Sequence, residues 1–145
     1  MGRREDIDRL QDEVRELFDQ LWQLPRFAGG RRGFRPQVDC VRSEDPPALH
    51  VVVELPGVDP ASIKLVAADR VLVVAGERRR PALSGRYRQL EIEYGPFQRR
   101  IQLDEPIDPD AAIARYEHGM LTVVLPIAPK PPQAERVAIA ITRRA

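Results

Sequence analysis

The sequence predicts an all-β domain, an antiparallel sandwich or barrel, preceded by a helical arm and followed by an extended tail. Three observations carry this reading. The central region is a series of short β-branched runs separated by turn signals, with no helical period. The N-terminal stretch repeats apolar residues at intervals of three and four. The stretch after Leu125 is dense in proline. The expected boundaries are 1–35 for the arm, 36–128 for the sandwich and 129–145 for the tail.

Composition narrows the function. At 145 residues the chain holds one domain of ~100 residues with flanking segments. A net charge of +1 gives no global field to gather nucleic acid or an acidic membrane. The basic residues are nearly all arginine, with Lys64 and Lys130 the only lysines, and acids are interspersed among them. Cys40 is the only cysteine, so no intrachain disulfide can form, which suits a reducing compartment. The start, MGRREDIDRL, lacks the apolar core of a signal peptide, and no run approaches the ~20 apolar residues of a membrane span. A soluble cytoplasmic protein is expected, with no specific nucleic-acid partner and no integral membrane association.

In the arm, Ile7, Leu10, Val14, Leu17, Leu21 and Leu24 fall on one helical face, with Phe18 and Trp22 beside them and charged residues opposite. Pro25 ends the pattern, and Ala28-Gly29-Gly30-Arg31-Arg32-Gly33 reads as a hinge. An isolated helix of this length is marginal in water, so it needs a partner surface. That surface is either its own domain or one shared with other subunits or clients.

The central strands are read at Leu49–Leu55, Ile63–Val66, Val71–Gly76, Phe97–Leu103 and Met120–Leu125. Pro56-Gly57 ends the first. Asp69-Arg70 fits a tight hairpin, and so does His118-Gly119, where His accepts a positive φ less readily than Gly. In the tail, Pro126, Pro129, Pro131 and Pro132 favour a stiff extended chain. The alternation Val137-Ala138-Ile139-Ala140-Ile141 then puts Val137, Ile139 and Ile141 on one side of a short strand. Such a strand is unstable alone and must dock, either as the last strand of its own domain or on a neighbour within reach of the proline spacer.

No constellation for catalysis stands out. His50 lies in an apolar strand and His118 in a turn, neither with metal-ligand spacing around it. Cys40, beside Asp39, carries no nucleophile signature. Ser43, Ser62 and Ser84 sit in no nucleophile elbow, and the glycines of the hinge lack the lysine of a phosphate loop. Arg78-Arg79-Arg80 is basic without interleaved aromatics, a weak signal for single-stranded nucleic acid. The expectation is a non-enzyme with no catalytic residue, cofactor or metal.

Four segments in order resemble the α-crystallin/small heat-shock protein (Hsp20) family, of bacterial type. They are Glu54-Leu55-Pro56-Gly57-Val58, Val73-Val74-Ala75-Gly76-Glu77-Arg78, Gly95-Pro96-Phe97-Gln98-Arg99 and Ala114-Arg115-Tyr116-Glu117-His118-Gly119-Met120-Leu121. Ile139-Ala140-Ile141 resembles the family's I-x-I tail motif. The chain departs from the pattern at His118, where Asn or Asp is usual, and at Leu103-Asp104-Glu105-Pro106, which is slightly long.

The resemblance implies an immunoglobulin-like β-sandwich and an ATP-independent holdase that works as dynamic oligomers of strand-swapped dimers and binds unfolding proteins. It implies that Arg78–Pro96 carries the exchanged strand, with Tyr87, Leu90 and Ile92 at the dimer interface. Arg99 would be paired to a partner carboxylate there, although a solvated arginine reads equally from sequence. The tail would fill a neighbour's groove walled by Ile63, Leu65, Ile113 and Ala114, in the register Val137/Ile139 or Ile139/Ile141. The arm residues Ile7, Leu10, Val14, Leu17, Phe18, Leu21 and Trp22 would contact clients. The alternative is a p23/CS-like co-chaperone adaptor, which shares the sandwich but lacks the tail motif.

Overall fold

The computed structural model describes residues 33–129 and 136–143. The arm residues Ile7 to Trp22 lie outside the described residues. Among the described residues nine strands build two sheets. The first has the order β1-β2-β7-β6-β9, from β1 (Val38–Glu44), β2 (Pro47–Glu54), β7 (Met120–Pro126), β6 (Ile113–Glu117) and β9 (Ile141–Arg143). The second has the order β5-β4-β3-β8, from β5 (Gly95–Gln102), β4 (Val71–Arg78), β3 (Lys64–Ala68) and β8 (Val137–Ala138). All neighbours are antiparallel except β6 and β9.

The core lies between the sheets, where alternation along each strand sends every second side chain inward. Leu49, Val51 and Val53 of β2 and Leu121, Val123 and Leu125 of β7 meet Leu65 of β3, Leu72 and Val74 of β4 and Phe97 and Ile101 of β5. Each side chain of this size contributes ~1.5–3 kcal/mol when fully buried, gross of chain entropy.

Local chemistry sets the turns. Asp69-Arg70 joins β3 to β4 as expected, with Ala68 opposite Val71. His118 and Gly119 join β6 to β7 with φ of 53° and 76°, both left-handed, the pair of angles that a two-residue hairpin of this twist demands. Two Asp-Pro entries start short 3-10 turns at Pro60–Ser62 and Pro109–Ala111. In each the aspartate accepts a backbone N–H, from Ala61 at 3.0 Å and from Asp110 at 3.2 Å, while proline fills a position that needs no donor.

The structure goes beyond the sequence reading in four places. β1 was not anticipated, because VDCVRSE is mostly exposed and polar; its pairing with β2 defines it. The tail alternation breaks at Ile139-Ala140 into two separate strands on two different sheets. Tyr87–Ile92 forms no strand within the single chain, and its expected pairing is with a second one. Ile113 faces outward, 64% exposed, while Ala114 takes the inward position on β6.

Candidate interaction surfaces

The tail occupies a groove between β3 and β6 of its own chain. Val137 and Ala138 pair with Ala67 and Val66 at the edge of one sheet. Ile141, Thr142 and Arg143 pair with Ala114, Arg115 and Tyr116 at the edge of the other. The tail therefore crosses from sheet to sheet and closes the open side of the sandwich. At the crossing, the Ile139 N–H donates to the Leu65 carbonyl at 3.1 Å, and its side chain is 8% exposed within the core cluster. Ile63, Leu65 and Ala114 belong to that cluster, Ile141 packs on it, and Val137 is half-buried at the rim. The structure thus brings together Ile139, Ile141 and three of the four expected groove residues, leaving Ile113 outside.

The long connection between β4 and β5 presents Leu83, Tyr87, Leu90 and Ile92 to solvent, each more than half exposed. Its root is fixed by Arg78. The Arg78 guanidinium lies 3.6 Å from the Phe34 ring centroid, a close cation–π geometry. Its Nε and Nη2 donate to the Glu93 carbonyl, the former at 2.9 Å, and Nη1 donates to the Pro56 carbonyl at 3.3 Å. Arg80 adds contacts over Tyr94 at 4.5 Å and Tyr87 at 5.1 Å. Phe34 in turn meets Phe97 edge-to-face at 5.8 Å. Sequence reasoning noticed Arg78 only as a motif residue and a basic run. Its aromatic partner is distant in sequence, with no local signal to reveal it.

β1 is the outer strand of its sheet, and one of its backbone edges has no neighbour among the described strands. Val41 is exposed on it, and so is Cys40, whose thiol is pushed up by partial burial and then by the Asp104 carboxylate. Arg42 ties this edge down by donating to Glu105 at 2.6 Å and to Glu44, bonds that hold its guanidinium firmly protonated. Arg99 on β5 points toward the chain entering the sandwich and donates to the Pro36 carbonyl at 2.6 Å. Burial, and then the charge of Arg35, push its pKa down. Within one chain Arg99 therefore already has an acceptor. Tyr116, also missed in the sequence, points its hydroxyl at the Leu55 carbonyl at 2.6 Å and the Val58 carbonyl at 3.1 Å. Burial raises its pKa, offset in part by the bond to Val58.

Among the described residues no group of three or more His, Cys, Asp or Glu is placed to hold a metal, and no helix is long and apolar enough to cross a membrane. What the fold offers is an open backbone edge and exposed apolar side chains on a two-sheet β-sandwich.

The comparisons narrow this class to a family. The family model described as Hsp20/alpha crystallin matches residues 41–142, and the chain belongs to that family. Heat shock protein 16 of Schizosaccharomyces pombe is 32% identical over 132 residues, covering 87% of this chain and 91% of the relative. An alpha-crystallin of Mycobacterium bovis is 31% identical over 140 residues, covering 92% and 95%. A 19.0 kDa class II heat shock protein of rice is 39% identical over 105 residues; the match spans 64% of this chain and 60% of the relative. Among solved structures, heat shock protein 16.0 of S. pombe superposes with a TM-score of 0.60 at 29% identity, over 70% of this chain and 94% of that one. HspA of Xanthomonas axonopodis gives 0.59 at 28%, over 66% and 96%. Members of the family are ATP-independent chaperones and not enzymes.

Proposed function

We propose that this chain is a holdase: it binds the apolar surface of unfolding proteins without nucleotide and prevents their aggregation, working in the cytoplasm as dynamic oligomers of strand-exchanged dimers. The observation that carries this is the tail, a short apolar segment on a proline-rich tether, seated where it closes the side of the sandwich. A segment attached in this way can exchange its own groove for a neighbour's, which links subunits through reversible contacts. Two further features support a dimer by exchange. Tyr87, Leu90 and Ile92 stand exposed on a loop long enough to reach another chain, and β1 offers a strand edge seven residues long. Clients under stress expose apolar surface, and covering it is worth roughly 25 cal/mol per Å², so holding needs no chemical energy. The domain division at residues 35 and 128 is part of the same proposal, as is Arg99 at the dimer interface.

The test is suppression of aggregation of several unrelated clients by purified protein without nucleotide. Protection of none sinks the reading, and protection of one alone turns it toward a dedicated adaptor. Deleting Ser84–Glu93 should leave folded monomers by light scattering, and a variant that stays dimeric at micromolar concentration excludes the exchanged strand.

A further inference from the structure

The sheet β5-β4-β3-β8 is apolar on both faces of β3 and β4. Leu65, Ala67, Leu72 and Val74 face the core, while Val66, Val71, Val73 and Ala75 form a second cluster on the opposite face. Register confirms that they share that face: Val66 stands opposite Val73, and Ala68 opposite Val71. An antiparallel sheet of this kind ordinarily turns a polar face outward, and a continuous run such as Val71-Leu72-Val73-Val74-Ala75 is the mark of a strand covered on both sides. Val66 and Val73 are each 1% exposed, the burial of a covered surface and not of a wet one. On β5 the same face carries Gln98, Arg100 and Gln102 opposite Ala75, Val73 and Val71, so the apolar patch is bounded by polar and basic side chains on that flank.

We propose that the outer face of β3 and β4 is the docking surface for this chain's own N-terminal segment, residues 4–24, laid down as an amphipathic helix. Three features select this occupant. The first is shape. The patch is floored by valine and alanine, small side chains that leave a shallow bed, and the apolar stripe of the segment is made of Leu10, Leu17 and Leu21 with Phe18 and Trp22, large ones that fill it. The second is charge. Residues 1–24 carry seven acidic side chains against four arginines, and the patch is flanked by Arg100 and Lys64. The third is reach. The described chain begins at Gly33, so close to the start of β5 that a Cβ there would stand 2.6 Å from the Pro96 carbonyl oxygen, and Phe34 N–H donates to the same oxygen at 3.3 Å. The arm is therefore tethered at the edge of the very sheet that carries the patch. Residues 25–32 extend up to about 26 Å, whereas β3 lies two strand spacings from β5, about 10 Å.

This inference does not depend on the holdase reading, since it concerns where the arm rests and not what it captures. Its test uses the full-length protein with Leu17→p-benzoylphenylalanine, irradiated without client, as an equal mixture of isotopically light and heavy chains. The expected result is crosslinks to the segment 64–75, with light joined to light and heavy to heavy. Crosslinks confined to other segments overturn the docking site, and mixed light–heavy pairs overturn the assignment to the chain's own arm. As a second arm, Val73→Lys should lower the yield of that crosslink at least several-fold with an unchanged far-ultraviolet circular dichroism spectrum. An unchanged yield in that variant rules the patch out.

Discussion

Gly119 rests on Pro56 so closely that a Cβ on the glycine would stand 2.9 Å from the proline Cα, and the Gly119 carbonyl accepts the Leu55 N–H at 2.7 Å. Two motifs far apart in sequence thus form one contact. Gly119 also holds a φ of 76°, which no L side chain adopts cheaply. Gly119→Ala should cost ~1–3 kcal/mol from backbone strain alone, with the steric clash added to it. Urea unfolding should show a lower midpoint at a similar slope. His118→Asn should move the other way, by under about 1 kcal/mol, since asparagine tolerates the left-handed region better. A His118→Asn variant weaker than the parent would mean that the imidazole itself contributes.

Tyr116 makes a pH-dependent contribution whose sign follows from its shift. The folded state raises its pKa above the ordinary value of 10.0, chiefly by burial, so the neutral phenol is the form the fold prefers. That stability is fully present below about pH 10 and is lost as pH rises through the higher folded value. Tyr116→Phe should flatten the alkaline limb of a stability–pH profile. At neutral pH it should also cost ~1–3 kcal/mol, because the Leu55 and Val58 carbonyls lose their donor. An alkaline limb identical in both proteins would show that another group titrates there.

Gly76 leaves room for an aromatic ring on the neighbouring strand. A Cβ at this position would lie 2.7 Å from the Phe97 Cζ, and Phe97 is braced edge-to-face by Phe34. Gly76→Ala should therefore destabilise by ~1–3 kcal/mol through overpacking. Adding Phe97→Leu should recover part of that loss, whereas independent sites would give additive losses in the double variant.

Arg99 and Arg100 are neighbours with different work. Arg99 donates to the Pro36 carbonyl, whose residue is fully buried. Arg99→Ala should lower sandwich stability by ~1–3 kcal/mol and broaden the oligomer distribution. Arg100→Ala should leave the oligomer distribution unchanged. Equal changes in the two variants, by calorimetry and light scattering, would remove any special role for Arg99.

Ile139→Ala combined with Ile141→Ala should shift assemblies toward dimers with the β signal in circular dichroism retained. The two side chains represent ~3–6 kcal/mol of gross burial, part of which is spent in ordering the tail. Loss of the β signal would make the tail an integral strand, and an unchanged assembly would make it a passive extension.

What the sequence revealed followed the strength of local signals. Strands β2, β4 and β7 are dense apolar runs between strong turn residues, and they appear where expected. β1 is legible only through its partner, because an edge strand facing solvent needs no apolar pattern. Ile113 and Ala114 face opposite ways on β6, since a one-residue step on a strand reverses the face, and alanine is too small to announce itself as the inward one. The Arg78–Phe34 stack joins residues whose proximity exists only after folding. The tail alternation suggested one continuous strand; the crossing between two sheets, which breaks it at Ile139, is a property of the sandwich and not of the tail.

The filled groove changes the terms on which subunits can meet. A tail arriving from another molecule does not find an empty site; it competes with Ile139 already in place on a tether. A short tether holds its segment at an effective concentration of order millimolar, so a single foreign tail at micromolar concentration loses that competition. Exchange also conserves the count of buried isoleucines, so burial alone gives it no direction. If tails are traded between subunits as proposed, assembly depends on a local tail concentration that matches the tether, and it therefore carries a threshold in subunit concentration.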